Sequence, residues 1–236
     1  MKRFMTAVCG VAVLCGVAVW ATAAAQEAPV CGPPGEEVPA TIVGAGTIIG
    51  TPGDDVIVGS SGVDHVVAGP GDDVICGEGG SDDISGGPGA DTLIGDAADL
   101  PPFIPSNGNN DDRLSGGPGD DELAGLGGDD TIEGGPGADT SIGMGGDDDI
   151  TSGAGDDTAF GGPGVDNVSG DAGNDTLFGN FGSDVVSGGP GDDFIDGDNP
   201  FPPPPGPLPF PPGGNDDDCT GGPGVDVVLN CETTAD

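Results

Sequence analysis

Strong bases are almost missing from this chain, which has 3 Lys plus Arg against 42 Asp plus Glu in 236 residues, a single histidine and a formal net charge of −39. Such a surface repels phosphates, which argues against nucleic acid and anionic membrane as partners. Tyrosine is absent and all aromatics together make up 4%, so a conventional core has few large side chains to draw on. The chain also lacks a nucleophile elbow, a His-Glu-x-x-His zinc motif and any histidine but His65 that would serve a serine nucleophile. What abounds is glycine, 51 residues, and proline, 24. By composition alone this reads as a disordered chain.

Order within the composition reverses that reading. From Gly50 to Leu229 the sequence counts in nines, as in GTPGDDVIV from Gly50, GSSGVDHVV from Gly59 and AGPGDDVIC from Ala68. Two units are interrupted. Gly95-Asp96 resumes at Asn109 after an insertion, residues 97–108, and Gly197-Asp198 resumes at Gly214 after a proline-rich insertion, residues 199–213. This parse gives 17 units, each with aspartate sixth: Asp55, Asp64, Asp73, Asp82, Asp91, Asp112, Asp121, Asp130, Asp139, Asp148, Asp157, Asp166, Asp175, Asp184, Asp193, Asp217 and Asp226. Position eight is apolar throughout except for Ser141.

Glycines in the first four positions permit a tight turn, and the last three residues suit a short strand whose middle side chain points inward. One buried side chain per unit cannot stabilise a unit alone, so the units must stack as a solenoid. Proline at position three occurs in 7 of the 9 odd units but in 1 of the 8 even ones, and both insertions fall in even units. Alternate units therefore differ in environment. The fold class predicted is all-β, a parallel β-roll or β-solenoid of two short parallel sheets with 18 residues per turn.

Stacking sets the sixth-position carboxylates in two columns about 5 Å apart along each. Like charges at that distance repel by roughly 1 to 3 kcal/mol per pair, which over the columns exceeds the usual net stability of a domain. A hard divalent cation between turns removes the penalty. Ca²⁺ accepts 6 to 8 oxygens from carboxylates and turn carbonyls, Mg²⁺ demands a stricter octahedron, and softer metals prefer thiolate and imidazole. Calcium, as multiple ions, is thus the expected cofactor, and the 17 aspartates are its candidate ligands.

Units such as GGPGADTLI at Gly86 and GGPGVDVVL at Gly221 resemble the RTX, or haemolysin-type, calcium-binding nonapeptide GGxGxDxUx of secreted bacterial proteins. The resemblance implies a β-roll with calcium between turns of the same edge, held by position-six aspartates and turn carbonyls. Nine and eight stacked turns would leave room for at most about 15 ions. Weaker sites are expected where positions two or four depart from glycine, as at Asn180, Asp171 and Asn110. RTX repeats often follow a hydrolase domain, but residues 26–49 leave no room for one.

Lys2 and Arg3, an apolar run over residues 7–20 and Ala23-Ala24-Ala25 predict a signal peptide, residues 1–25, cleaved before Gln26. The run is short for the alternative, a membrane anchor of about 18 residues. Cleavage takes the net charge to about −41 and leaves no membrane-inserting segment. The expected location is therefore extracellular or cell-surface. This departs from the type I export that the resemblance implies. Four cysteines remain, and an even number in a secreted chain suggests disulfides. Cys31 with Cys76 and Cys219 with Cys231 are the expected pairs, one at each end of the solenoid; unpaired or intermolecular thiols are the alternative.

Residues 26–49 form an N-terminal segment ending in a capping coil, ATIVGAGTII over residues 40–49, with Gly46 where aspartate belongs. The β-roll covers residues 50–229 and a tail covers residues 230–236. His65, outward at position seven, is expected to be solvated, as are most position-five aspartates such as Asp54, Asp72, Asp120, Asp192 and Asp216. The Pro-rich insertions suit either bland loops or polyproline II contacts with a partner. Three functions compete: a secreted calcium-binding structural or interaction module, an enzyme, and a surface adhesin for polysaccharide, cells or ice. The first fits best. An extracellular protein or polysaccharide would be met through the insertion loops, and no regular threonine rank for ice is visible when positions seven and nine are read together.

Overall fold

A glycine-rich turn followed by three strand residues repeats until it closes a flattened coil. The structure is a computed structural model that describes residues 30–31, 38–96, 110–198 and 217–231. The signal segment, both insertions and residues 232–236 of the tail lie outside the described residues.

Among the described residues there is no helix. Odd units supply a ten-stranded parallel sheet running from Ile42–Val43 to Val227–Leu229, and even units supply a nine-stranded one running from Thr47–Ile49 to Asp218–Thr220. Register advances by 18 residues per turn, as in Val56↔Val74 and Thr140↔Thr158. Across the insertions the ladder stays in register, pairing Asp83 with Arg113 and Val185 with Asp218. The parallel β-roll with two sheets and 18 residues per turn is therefore the fold of this chain.

Position-eight side chains from both sheets interdigitate along the axis. From Ile57 to Ile195 every one is fully buried, whereas Val228 in the last turn is 38% exposed because no further turn covers it. This single file of Ile, Leu and Val is nearly the whole apolar core. Ser141 sits within it at 0% exposure, its Oγ without a hydrogen-bond partner, between Leu123 and Ala159 in the ladder. A buried hydroxyl left unsatisfied costs about 1 to 3 kcal/mol. Ser141→Val, a residue position eight already carries at Val66 and Val168, is expected to raise the thermal midpoint in calcium by several degrees. Scanning calorimetry of the two proteins checks it.

The outer faces of the sheets differ. On the ten-stranded side Val58, Cys76 and Ile94 are buried beneath Cys31, whose short strand Val30–Cys31 pairs antiparallel with Val38–Pro39. Further along, the rings of Phe160 and Phe178 stack at 4.9 Å, and Phe194 tilts against Phe178 at 6.0 Å. The nine-stranded side carries charges. His65 Nδ1 lies 2.9 Å from Asp83, and Arg113 lies 2.8 Å from Glu133. His65 is thus exposed as expected, with a carboxylate beside it.

Both expected disulfides are present, Cys31–Cys76 with Cα atoms 5.7 Å apart and Cys219–Cys231 at 5.8 Å. They fasten the two ends of the solenoid, where a coil has only one neighbour.

Candidate metal centre

Each turn ends on an aspartate whose two oxygens do different things. Oδ1 accepts the backbone N–H of the aspartate one turn earlier, as from Asp55 to Asp73 (2.8 Å), Asp130 to Asp148 (2.9 Å) and Asp184 to Asp217 (2.8 Å). The capping coil joins this ladder without a carboxylate of its own, through the Gly46 N–H donating to Asp64 Oδ1. Sixteen of the 17 candidate aspartates, from Asp55 to Asp217, are buried; Asp226, in the last turn, is half-buried.

Oδ2 is the oxygen left over. In Asp73, Asp82, Asp91, Asp112, Asp121, Asp130, Asp139, Asp148, Asp157, Asp166, Asp175, Asp184 and Asp193 it is buried and accepts no hydrogen bond. Buried anionic oxygens in such number require a counter-charge. Among the described residues no protein group provides one, since the one strong base there, Arg113, is engaged with Glu133 on the outer face.

The position-one glycine explains where the counter-charge sits. A Cβ on Gly77 would meet Asp82 Oδ2 at 2.4 Å and the carbonyl oxygen of Gly95, one turn on, at 2.5 Å. On Gly143 it would meet Asp148 Oδ2 at 2.2 Å and Gly161 O at 2.7 Å, and on Gly188 it would meet Asp193 Oδ2 at 2.3 Å and Gly221 O at 2.7 Å. At these positions a carboxylate oxygen and a backbone carbonyl from successive turns thus converge over a bare glycine. The donors are all hard oxygens. No group of three or more His, Cys, Asp or Glu side chains is arranged to hold a metal among the described residues, so an ion here draws much of its shell from backbone carbonyls. Calcium accepts that donor set, and zinc and copper do not favour it.

Electrostatics point the same way. Burial pushes the carboxyls up, to about 6 for Asp82, Asp91, Asp148 and Asp157, about 7 for Asp112, Asp121 and Asp184, and about 8 for Asp130 and Asp166. The N–H bonds to Oδ1 work against burial, while neighbouring aspartates of the column add to it. Without a metal, Asp130 and Asp166 would stay largely protonated at neutrality.

The decisive likeness is one of sequence. A family model described as the RTX calcium-binding nonapeptide repeat matches residues 43–75, 77–99, 106–141, 142–177 and 169–199. The chain belongs to the RTX calcium-binding nonapeptide repeat family. No curated protein sequence matches it. The RTX repeats bind calcium, and the buried aspartate ladder of this roll suits that ion.

Two parts of the site were not read from the sequence. The position-five aspartates form a second, outer ladder of opposite sense, in which Oδ1 of one turn accepts the N–H of the next: Asp54 from Asp72, Asp111 from Asp129, Asp129 from Asp147, and Asp156 from Asn174. These exposed carboxylates tie turn to turn. The second part is position two, where Thr51 and Ser60 turn both their N–H and their hydroxyl onto Oδ2 of Asp55 and Asp64. The first turn on each edge therefore satisfies its carboxylate internally. In most other units position two has a left-handed backbone even without glycine, with φ of 67° at Asp171 and 78° at Asn180, so those two residues leave the turn's backbone unchanged.

Proposed function

We propose that this chain is a secreted calcium-binding module that folds on meeting extracellular Ca²⁺ and serves a structural or interaction role, without catalysis of its own. The observation that carries the reading is the file of buried Oδ2 atoms with no partner and no protein cation. A bound calcium ion would supply the positive charge that these oxygens lack. The chain's residues do the rest. Position-six aspartates provide the carboxylates, those from Asp73 to Asp193 with the unpartnered Oδ2, and position-one glycines keep the space open. Two ladders of N–H bonds set the spacing.

Folding and metal binding are then one process. The predicted signal segment and the two disulfides fit a chain that folds outside the cell. Isothermal titration of the chelated chain from Gln26 is expected to show uptake of many Ca²⁺ per chain, up to about 15, with little heat from Mg²⁺. Uptake of no more than one ion overturns the reading.

An adhesin-like role is favoured by one further observation. The ten-stranded sheet presents the Phe160, Phe178 and Phe194 strip, whereas the opposite face is polar. We place the partner-facing side on that sheet, next to the points where both insertions leave the roll, after Asp96 and Asp198.

A further inference from the structure

Position two is occupied by aspartate in both insertion-bearing units, and position four by asparagine: Gly95-Asp96 with Asn110-Asp111-Asp112, and Gly197-Asp198 with Asn215-Asp216-Asp217. Every other unit has glycine at position four. The second of these bases falls partly outside the described residues, but the first is fully on view from Asp96 and from Asn110 onward.

Asp96 does not behave like most of the other non-glycine residues of its column. Glu78, Leu126, Met144 and Asn180 have φ between 78° and 86° there, and Asp96 has no positive φ. In that respect it matches Thr51 and Ser60, whose side chains reach Oδ2 of their own unit's aspartate. The Asp96 carboxylate is 3% exposed, and Asn110 Nδ2 donates to its Oδ1 at 2.7 Å. Asn110 lies two residues before Asp112 and Asp96 directly follows Gly95, so this bond ties the Asp96 carboxylate to both sides of the Asp112 site.

The chemistry of the position has therefore been inverted. Where Thr51 and Ser60 bring a hydroxyl that donates to Oδ2, Asp96 brings a second acceptor. Asp112 Oδ2 is buried without a hydrogen-bond partner and lies where a Cβ on Gly95 would meet it at 2.2 Å, with Gly125 O at 2.9 Å. A buried carboxylate on the residue next to Gly95, over which Asp112 Oδ2 and Gly125 O converge, adds a hard oxygen donor of the kind calcium takes.

We infer that Asp96 is an additional calcium ligand, completing with Asp112 a site of higher affinity than those of the regular turns, and that Asn110 is the residue that positions it. The inference rests on the calcium reading above. It reverses the expectation that Asn110 marks a weaker site. It also gives the base of the insertion a function, since its two described flanks, Asp96 and Asn110, would be held together at the ion site. Extra carboxylate charge is how calcium sites of one architecture gain affinity.

The test is calcium titration calorimetry on the full chain from Gln26, native against Asp96→Asn and Asp96→Thr, with far-UV circular dichroism in saturating CaCl₂ as the folding control. Threonine restores the hydroxyl arrangement of Thr51 and so keeps a foldable turn if the amide does not. The native chain is expected to show a small class of sites at least about tenfold tighter than the rest. Both variants are expected to lose that class while retaining the bulk of the ions and the β signal. Asn110→Gly is expected to weaken the same class with less effect. If both Asp96 variants keep the tight class and full stoichiometry, Asp96 is a structural clamp and the inference fails while the calcium reading stands. A native chain that takes up no calcium defeats both.

Discussion

Gly173→Ala is expected to destroy the roll around its substitution, with a loss above about 4 kcal/mol, in the range that only gross steric or electrostatic defects reach. Gly173 holds position four with φ of 151°, and a Cβ there would lie 1.4 Å from Gly155 O and 2.4 Å from Gly155 C. Both obstacles are backbone atoms of the preceding turn, held by a ladder with no free side chain to give way. Moving them opens the stack, and a solenoid whose coils contact only neighbours then divides into shorter rolls. The same change at Gly53 is the control. It stands at position four of the first unit, where nothing lies within 4 Å of an added Cβ, so Gly53→Ala is expected to be nearly silent. Calcium titrations followed by far-UV circular dichroism should show a large loss of β signal for Gly173→Ala and an unchanged curve for Gly53→Ala.

Acidification in the presence of a chelator is expected to restore the roll that calcium removal unfolds. Nine of the buried aspartates, Asp82, Asp91, Asp112, Asp121, Asp130, Asp148, Asp157, Asp166 and Asp184, have folded pKa values raised from 3.8 to about 6 to 8, so the metal-free fold binds protons more tightly than the unfolded chain does. Below about pH 4 the unfolded carboxyls take up protons as well, the folded ones are already protonated, and the charge penalty is absent. As pH rises through the interval from about 4 to 8 the folded carboxyls are forced to ionise against burial and against one another, and stability falls. Calcium reverses the slope, because it competes with protons for the same oxygens and binds better as pH rises. In chelator, the β signal is expected to be strong near pH 5 and lost by pH 8; with calcium it should persist at pH 8. Dilute protein is needed near the acidic end, where the sequence pI of about 4.1 removes net charge.

The nine-residue count, its doubling to an 18-residue turn and the two disulfide pairs were legible because each depends on spacing along the chain. Proline at position three in odd units betrays the two edges, and Cys31, Cys76, Cys219 and Cys231 fall where a solenoid frays. What was not legible depends on which atom of one turn meets which atom of the next. Nothing in the letters Asp-Asp at positions five and six says that Asp72 accepts from the turn after it while Asp73 accepts from the turn before. The amphipathic character of the roll was missed for a different reason. Positions seven and nine were pooled over all units, which mixed Val56, Val58, Phe160 and Phe178 of one sheet with His65, Asp83, Asp149 and Ser169 of the other. Separated by parity, one sheet is largely apolar outside and the other polar. Asp96 hid behind the first insertion, since its partner Asn110 lies 14 residues away.

Far-UV circular dichroism of the chain from Gln26 at pH 7.5, chelated and then titrated with CaCl₂ or MgCl₂, asks most directly whether the aspartate columns need a metal to fold. A transition from coil to β that Ca²⁺ drives and Mg²⁺ does not is the result expected from buried, unpartnered Oδ2 atoms facing backbone carbonyls. A chelated chain already rich in β structure, and indifferent to calcium, would contradict it.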